Sequence, residues 1–138
     1  MAATLGNTKK AYIKISTTYT WLACEQSNSL NLTQEAVEVS DKSTAWAQFI
    51  AGKKGATAEI TVFADNSDNA QKQALKGLFN GAAVDIFLGS LSGSSPSSGD
   101  AFIAIVTGIS DTNDFGAVSS RSISLTANGA VTHYPSLT

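Results

Sequence analysis

Catalysis by a protein side chain needs nucleophiles, bases or metal ligands that converge, and this chain supplies one histidine and one cysteine among 138 residues. His133 stands in Val131-Thr132-His133-Tyr134-Pro135, close to the C-terminus, and reads as part of a solvated or subunit-contacting tail. Cys24 ends the apolar run Thr20-Trp21-Leu22-Ala23-Cys24 and reads as a small buried hydrophobe. The acidic clusters Asp65-Asn66-Ser67-Asp68 and Asp111-Thr112-Asn113-Asp114 lack the spaced oxygens and central glycine of a calcium loop, so a helix cap and a turn are expected there. The stretch from Gly89 to Gly99 is rich in Gly and Ser, but no Lys-Ser/Thr follows it and no helix opens from it, so it cannot cradle phosphate as a P-loop does. Lys9-Lys10 and Lys53-Lys54 are isolated pairs that mark solvated turns. The triplet Asn31-Leu32-Thr33 fits a glycosylation acceptor, which has no consequence without export. No catalytic, metal or cofactor site follows from these residues, and an enzyme is the class they fit worst.

Composition points the same way. A net charge of −2 and a pI near 5.2 leave no basic stripe to supply phosphate affinity, which excludes a DNA-binding regulator. Charged residues make up 14% of the chain, against roughly 25% in ordinary soluble domains. Ser, Thr and Ala fill the difference. Such a surface is cheap to desolvate, because burying Ser or Thr against a neighbour costs far less than burying Lys or Glu. A lone cysteine forbids an internal disulfide, so the fold must stand on packing. The sequence has no run near the roughly 20 apolar residues of a membrane span, and the segment Met1–Gly6 lacks a basic region followed by an apolar run, so synthesis in the cytosol is expected.

The elements that must carry this surface are mostly strands. Ala11–Ile15 places Tyr12 opposite Ile13 and Ile15; Thr20–Cys24, Leu30–Leu32 and Ala36–Val39 follow as short strands. Ser40–Gly55 has little periodicity yet carries Trp46, Phe49 and Ile50, which predicts a long connection with a helical turn over Thr44–Ile50. In Thr57–Phe63, Ala58, Ile60 and Val62 share one face, with Glu59 and Thr61 on the other. One helix follows, capped by Ser67 or Asp65, with Asp68 in its first turn, a stripe of Ala70, Ala74, Leu75, Leu78 and Phe79, and a left-handed stop at Asn80-Gly81. Ala83–Leu88 and Ala101–Val106 form a hairpin with a flexible Gly89–Gly99 tip, and Arg121–Leu125 is the last strand. The outline is a mainly β (α+β) domain of five to seven strands with one helix, spanning residues 1–138, with an N-terminal arm at about 1–9 and a C-terminal tail at about 130–138.

One ordered set of motifs resembles the major tail tube protein family of long-tailed bacteriophages. Glu38-Val39-Ser40-Asp41-Lys42, then Ala45-Trp46-Ala47-Gln48-Phe49-Ile50-Ala51-Gly52, then the Thr57–Phe63 strand, match the family's order of acidic-Val-Thr/Ser, Trp leading to apolar-Gly, and alternating strand. Ser124–Thr132 is similar to its closing strand-and-glycine element, and Glu38-Val39-Ser40 departs from its usual Asp-Val-Thr. The resemblance implies a β-sandwich or half-barrel flanked by one helix. It further implies a homohexameric ring whose strands join into a barrel, and stacked rings forming a tube in the virion, assembled in the host cytoplasm. The implied partners are other copies of the chain, a tape-measure protein, tail tip or terminator proteins, and DNA that passes without specific binding; no membrane and no cofactor is involved.

Two sets of residues follow as candidate sites. Ser40, Asp41, Lys42, Trp46 and Phe49 are expected to reach a neighbouring subunit or ring, since exposed aromatics anchor interfaces. Glu59, Thr61 and Asp85 are expected to face the lumen, where a slightly acidic, Ser/Thr-rich wall repels phosphate. The competing readings are a monomeric β-sandwich binding module that uses the Gly89–Gly99 loop or its tryptophans, and the ring-forming tube protein of a bacterial injection machine.

Overall fold

The computed structural model describes residues 9–22, 25–43, 45–93 and 95–135. Its elements are β1 (Lys10–Ile15), β2 (Thr18–Trp21), β3 (Glu25–Glu38), β4 (Phe49–Phe63), α1 (Asn69–Asn80), β5 (Val84–Ser92), β6 (Ser95–Thr112), β7 (Ser120–Ala127) and β8 (Thr132–Tyr134). The strands form one antiparallel sheet of eight in the order β2-β1-β5-β6-β7-β4-β3, with β8 added to β6. The mainly β class with one helix holds, and the strand count rises above five to seven because Thr132–Tyr134, read as tail, pairs with Gly99–Ala101. The sheet curls until the start of β3 meets β1: the Ala11 amide donates to Glu25 Oε1 at 3.0 Å, and Asn28 Nδ2 donates to the Lys9 carbonyl at 3.1 Å. This is the half-barrel form of the expectation. Cys24 lies outside the described residues, as does the N-terminal arm up to Thr8.

Alternation selects the core. Ala58, Ile60 and Val62 of β4 oppose Leu125, Ile123 and Arg121 of β7 in register, and all point to the helix side. Val84, Ile86, Phe102, Ala104, Val106, Ala11 and Ile13 continue this layer across β5, β6 and β1. Each fully buried aliphatic side chain contributes about 1.5–3 kcal/mol, so this face alone holds the sheet to the helix. In β6 the period slips by one residue between Val106 and Gly108, a bulge at Thr107 whose hydroxyl donates to the Ser124 carbonyl at 3.2 Å. Beyond it Ile109 and Asp111, rather than residues 108 and 110, pair with the inward Ile123 and Arg121. For that reason β6 runs on to Thr112, past the Val106 end expected from the sequence.

The helix begins at Asp68 rather than at Ser67 or Asp65: the Asp68 carboxylate accepts from the Gln71 amide at 3.3 Å. Asp65 instead closes a local turn, accepting from Ser67 N at 3.0 Å and from Ser67 Oγ at 2.6 Å, and these bonds hold its carboxyl below the usual carboxylate range. The stop at Gly81 is left-handed, φ 68°, as expected. The buried stripe is Ala70, Gln71, Ala74 and Gly77, with Leu78 packed beside it, whereas Phe79 is 81% exposed. Gln71 took the inward place because it ties three elements together. Its Oε1 accepts from the Asp65 amide and from Arg121 Nη1, both at 3.0 Å, and its Nε2 donates to the Phe63 carbonyl at 3.1 Å. Arg121, 5% exposed, is neutralised by Asp111 at 2.8 Å.

One expected loop is strand throughout its described length apart from its turn, and the other, Ser40–Gly55, is strand from Phe49 onward. The Gly89–Gly99 stretch is the paired end of the β5–β6 hairpin, turning at Gly93 (φ 65°). Gly89 and Gly99 face each other across it, and a Cβ on either would fall against the partner strand's backbone, at the Ser98 carbonyl or the Leu88 carbonyl. The described residues of Thr44–Ile50 contain no helical turn; Phe49 and Ile50 already belong to β4.

Candidate assembly interface

The long β3–β4 hairpin leaves the body. β4 pairs with β7 only from Thr57 to Phe63, while its pairing with β3 continues out to Glu38 opposite Phe49. Beyond Thr57 the two strands have only each other among the described residues, and their side chains are almost all exposed. A free two-stranded ribbon is marginal in water, and it leaves both backbone edges unpaired. The arm nevertheless carries Leu32, Val37, Val39, Trp46, Phe49 and Ile50, all exposed. Apolar side chains on an element that buries nothing of its own are the mark of a surface completed by a neighbour.

At the tip, the Val39 amide donates to the Gln48 carbonyl at 2.8 Å and the Gln48 amide to Ser40 Oγ at 2.6 Å. Asp41 Oδ1 accepts from Ser43 N at 2.9 Å and from Ser43 Oγ at 2.6 Å. Of the five residues expected here, Ser40 and Asp41 therefore shape the turn, and Lys42, Trp46 and Phe49 are what it presents. Trp46 is 84% exposed. A groove of about 600 Å³ lies at the arm's root, lined by Leu32, Ala56, Lys54, Val131 and His133. His133 Nδ1 there meets Asp100 Oδ1 at 2.8 Å, a contact that joins β8 to β6, so the residue belongs to the sheet rather than to a tail.

The second surface is the sheet face away from the helix. Glu59 registers with Ser124 and Ser29, Thr61 with Ser122, and Asp85 with Ile103, all in the outward positions of their strands. The three residues thus share one face, on which Ile103 and Ile105 of β6 and Ser122, Ser124 and Thr126 of β7 stand between them. Sequence reasoning missed what stands on its β1 flank. Phe87 is buried under Tyr12, Tyr19 and Tyr134, at ring separations of 6.0, 5.8 and 6.2 Å. Burial first, and the nearby Glu25 and Asp85 second, push the Tyr12 and Tyr19 hydroxyls above their ordinary values. Lys10 and Lys14 also lie on this face, held over Trp21 and Tyr19 at 4.7 and 5.5 Å, so the face carries cations on its β1 flank beside the acidic, Ser/Thr-rich wall. Their signal was legible: Lys10, Tyr12 and Lys14 share a parity opposite to Ala11 and Ile13.

Solved structures share this arrangement. A chain in the C6-symmetric tail of an empty gene transfer agent particle superposes with a TM-score of 0.82 at 15% identity, covering 95% of this chain and 98% of that one. The chain has the tail-tube fold. A subunit of the SPP1 tail tube matches at 0.76 and 15% identity over 96% of this chain and 80% of that one. A chain of the six-fold symmetrised anti-feeding prophage baseplate matches at 0.68 and 12% identity, over 98% and 99%. Neither a family model nor a curated protein matches the sequence. In this tail-tube fold the arm and the outward sheet face are among the surfaces that internal packing leaves open. Among the described residues no three His, Cys, Asp or Glu cluster to hold a metal, and no helix is long and apolar enough to cross a membrane.

Proposed function

We propose that this chain is a structural, non-enzymatic subunit of a phage tail tube: six copies form a ring, and rings stack into a hollow conduit for DNA. The observation that carries this reading is the fit, over 95% of the chain, to a subunit of a C6-symmetric tail. The physics of the arm supports it independently. An exposed apolar ribbon with free edges is stable only against neighbours, and a closed ring followed by head-to-tail stacking supplies them without limit.

In this account Lys42, Trp46 and Phe49 make the contact to a neighbouring subunit or ring, on a tip that Ser40 and Asp41 keep in shape. The outward face with Glu59, Thr61 and Asp85 lines the lumen, where the carboxylates repel passing phosphates and neutral hydroxyls hold them far less than fixed cations would; Lys10 and Lys14 are partly masked there by their aromatic partners. The chain acts as one domain, works in the virion after assembly in the host cytoplasm, and meets a tape-measure protein and tail tip or terminator proteins. A second reading, supported by the baseplate match at 0.68, is a ring subunit of an injection machine with the same architecture and a different cargo.

Multi-angle light scattering on the purified chain tests the assembly. Hexamers and their multiples are expected; a monomer at every concentration would sink the proposal and favour the monomeric binding module.

A further inference from the structure

The two ends of the sheet carry matching features. β4 runs 15 residues from Phe49 to Phe63, a contour on the order of 50 Å. The arm tip extends beyond its Phe49 end. At its Phe63 end, Ser120 of β7 pairs with Phe63 and with Thr112 of β6, so the β6–β7 loop, residues 113–119, lies at the opposite pole. That loop is a short turn closed by the Ala117 amide on the Asp114 carbonyl at 3.1 Å. It holds Phe115 fully exposed and Val118 67% exposed. Nothing in the subunit's own core asks for either. Each pole thus shows exposed aromatic surface with charge beside it: Trp46 and Phe49 with Asp41 and Lys42 at the tip, Phe115 with Asp114 at the loop. Asp41 is engaged by Ser43 at 2.9 and 2.6 Å, whereas Lys42 and Asp114, opposite in charge, have no side-chain partner among the described residues.

We infer that the β6–β7 loop, through Asp114, Phe115 and Val118, is the docking surface for the arm tip of a second copy of this chain, with Lys42 against Asp114 and Trp46 against Phe115. The inference rests on the tube reading and adds to it the surface that receives the arm. Three things select this occupant. The poles are unlike and lie at opposite ends of one sheet, which is the geometry of a contact that propagates rather than closes. The charges are complementary, which fixes register between two otherwise apolar patches. The size also fits a repeated contact. Two aromatics bury roughly 150–250 Å² each, well under the roughly 1,200 Å² of a stable isolated interface. A six-fold ring, however, presents six such contacts at once, and linked weak contacts add as avidity.

The test uses the full chain and reads ring and filament formation separately, by native mass spectrometry and negative-stain length distributions. Phe115→Ser is expected to leave hexameric rings intact and to cut mean tube length at least ten-fold. Lys42→Glu and Asp114→Lys are each expected to shorten tubes, most strongly at low salt, and the double variant to restore them toward wild-type length. Wild-type tubes that Phe115→Ser leaves at full length, or a double variant no longer than either single one, would overturn the docking assignment while the tube reading stands. A wild-type chain that never forms rings would overturn both. Circular dichroism melting of each variant guards against misfolding; if Phe115→Ser unfolds the subunit, the exposed-loop premise is itself wrong.

Discussion

Gln71→Ala is the substitution on which the packing account stakes most. Alanine is the better helix former by a few tenths of a kcal/mol, so helix propensity alone predicts a small gain in stability. The structure predicts a large loss. Removing the amide orphans the Asp65 amide, the Phe63 carbonyl and one guanidinium nitrogen of a 5% exposed arginine. Two part-buried neutral partners cost about 1 kcal/mol each and the buried charged one about 1.5–3 kcal/mol, for a sum of about 3.5–5 kcal/mol. Against a total of roughly 5–15 kcal/mol that is a large share. It corresponds to a fall in melting temperature on the order of 10–15 °C for a chain of this size. The assay is urea and thermal denaturation followed by circular dichroism on dilute, unassembled subunit. A loss below about 0.5 kcal/mol, the range of an ordinary surface substitution, would refute the claim that this network fastens the helix to the ends of β6 and β7.

Three further outcomes follow. Gly99→Ala should cost about 2 kcal/mol or more, because φ 140° is strained for any side chain and the new Cβ meets the Leu88 carbonyl. Gly93→Asn, in open space at a left-handed turn, should cost under about 1 kcal/mol; urea midpoints compare the two. Trp46→Ala should leave the melting temperature within a degree or two and reduce tube yield several-fold in electron micrographs; unchanged tubes would remove the arm from the interface. The Asp65 carboxyl is lowered in the folded chain by its Ser67 hydrogen bonds. Its contribution is therefore present above the ordinary value of 3.8 and is lost as pH falls through the lower folded value. Asp65→Asn should flatten that part of the acid denaturation curve, read as urea midpoint against pH.

How legible each element was in the sequence depended on whether burial imposed a period. Ala58-Ile60-Val62 and the Ile123-Leu125 pair announced their inward face because water is excluded on one side only. The distal arm gave no such signal. Lys53, Lys54 and Gly55 are exposed on both faces, so the strand there has no inside to alternate against and reads as a loop. Gly89–Gly99 misled for a different reason: Gly, Ser and Pro have poor strand propensity, and tertiary pairing overrode it. The bulge at Thr107 broke the period of β6 and hid its last residues. Gln71 and Arg121 are polar and give no apolar signal, though both carry the inward parity, Gln71 beside Ala70 and Ala74, and Arg121 two residues before Ile123. Of the candidate site, Trp46 and Phe49 were legible as aromatics without a period, and Glu59, Thr61 and Asp85 as outward residues. Phe115 and Val118 lay in a loop with no pattern to mark them, and their meaning came only from the register that sets them opposite the arm.

Cryo-electron microscopy of tubes assembled from the purified chain would show the subunit arrangement itself. Stacked six-fold rings are expected, with the helix on the outside and the Glu59, Thr61 and Asp85 face around a central channel. Monomers at millimolar concentration, or closed oligomers without a channel, would contradict that arrangement.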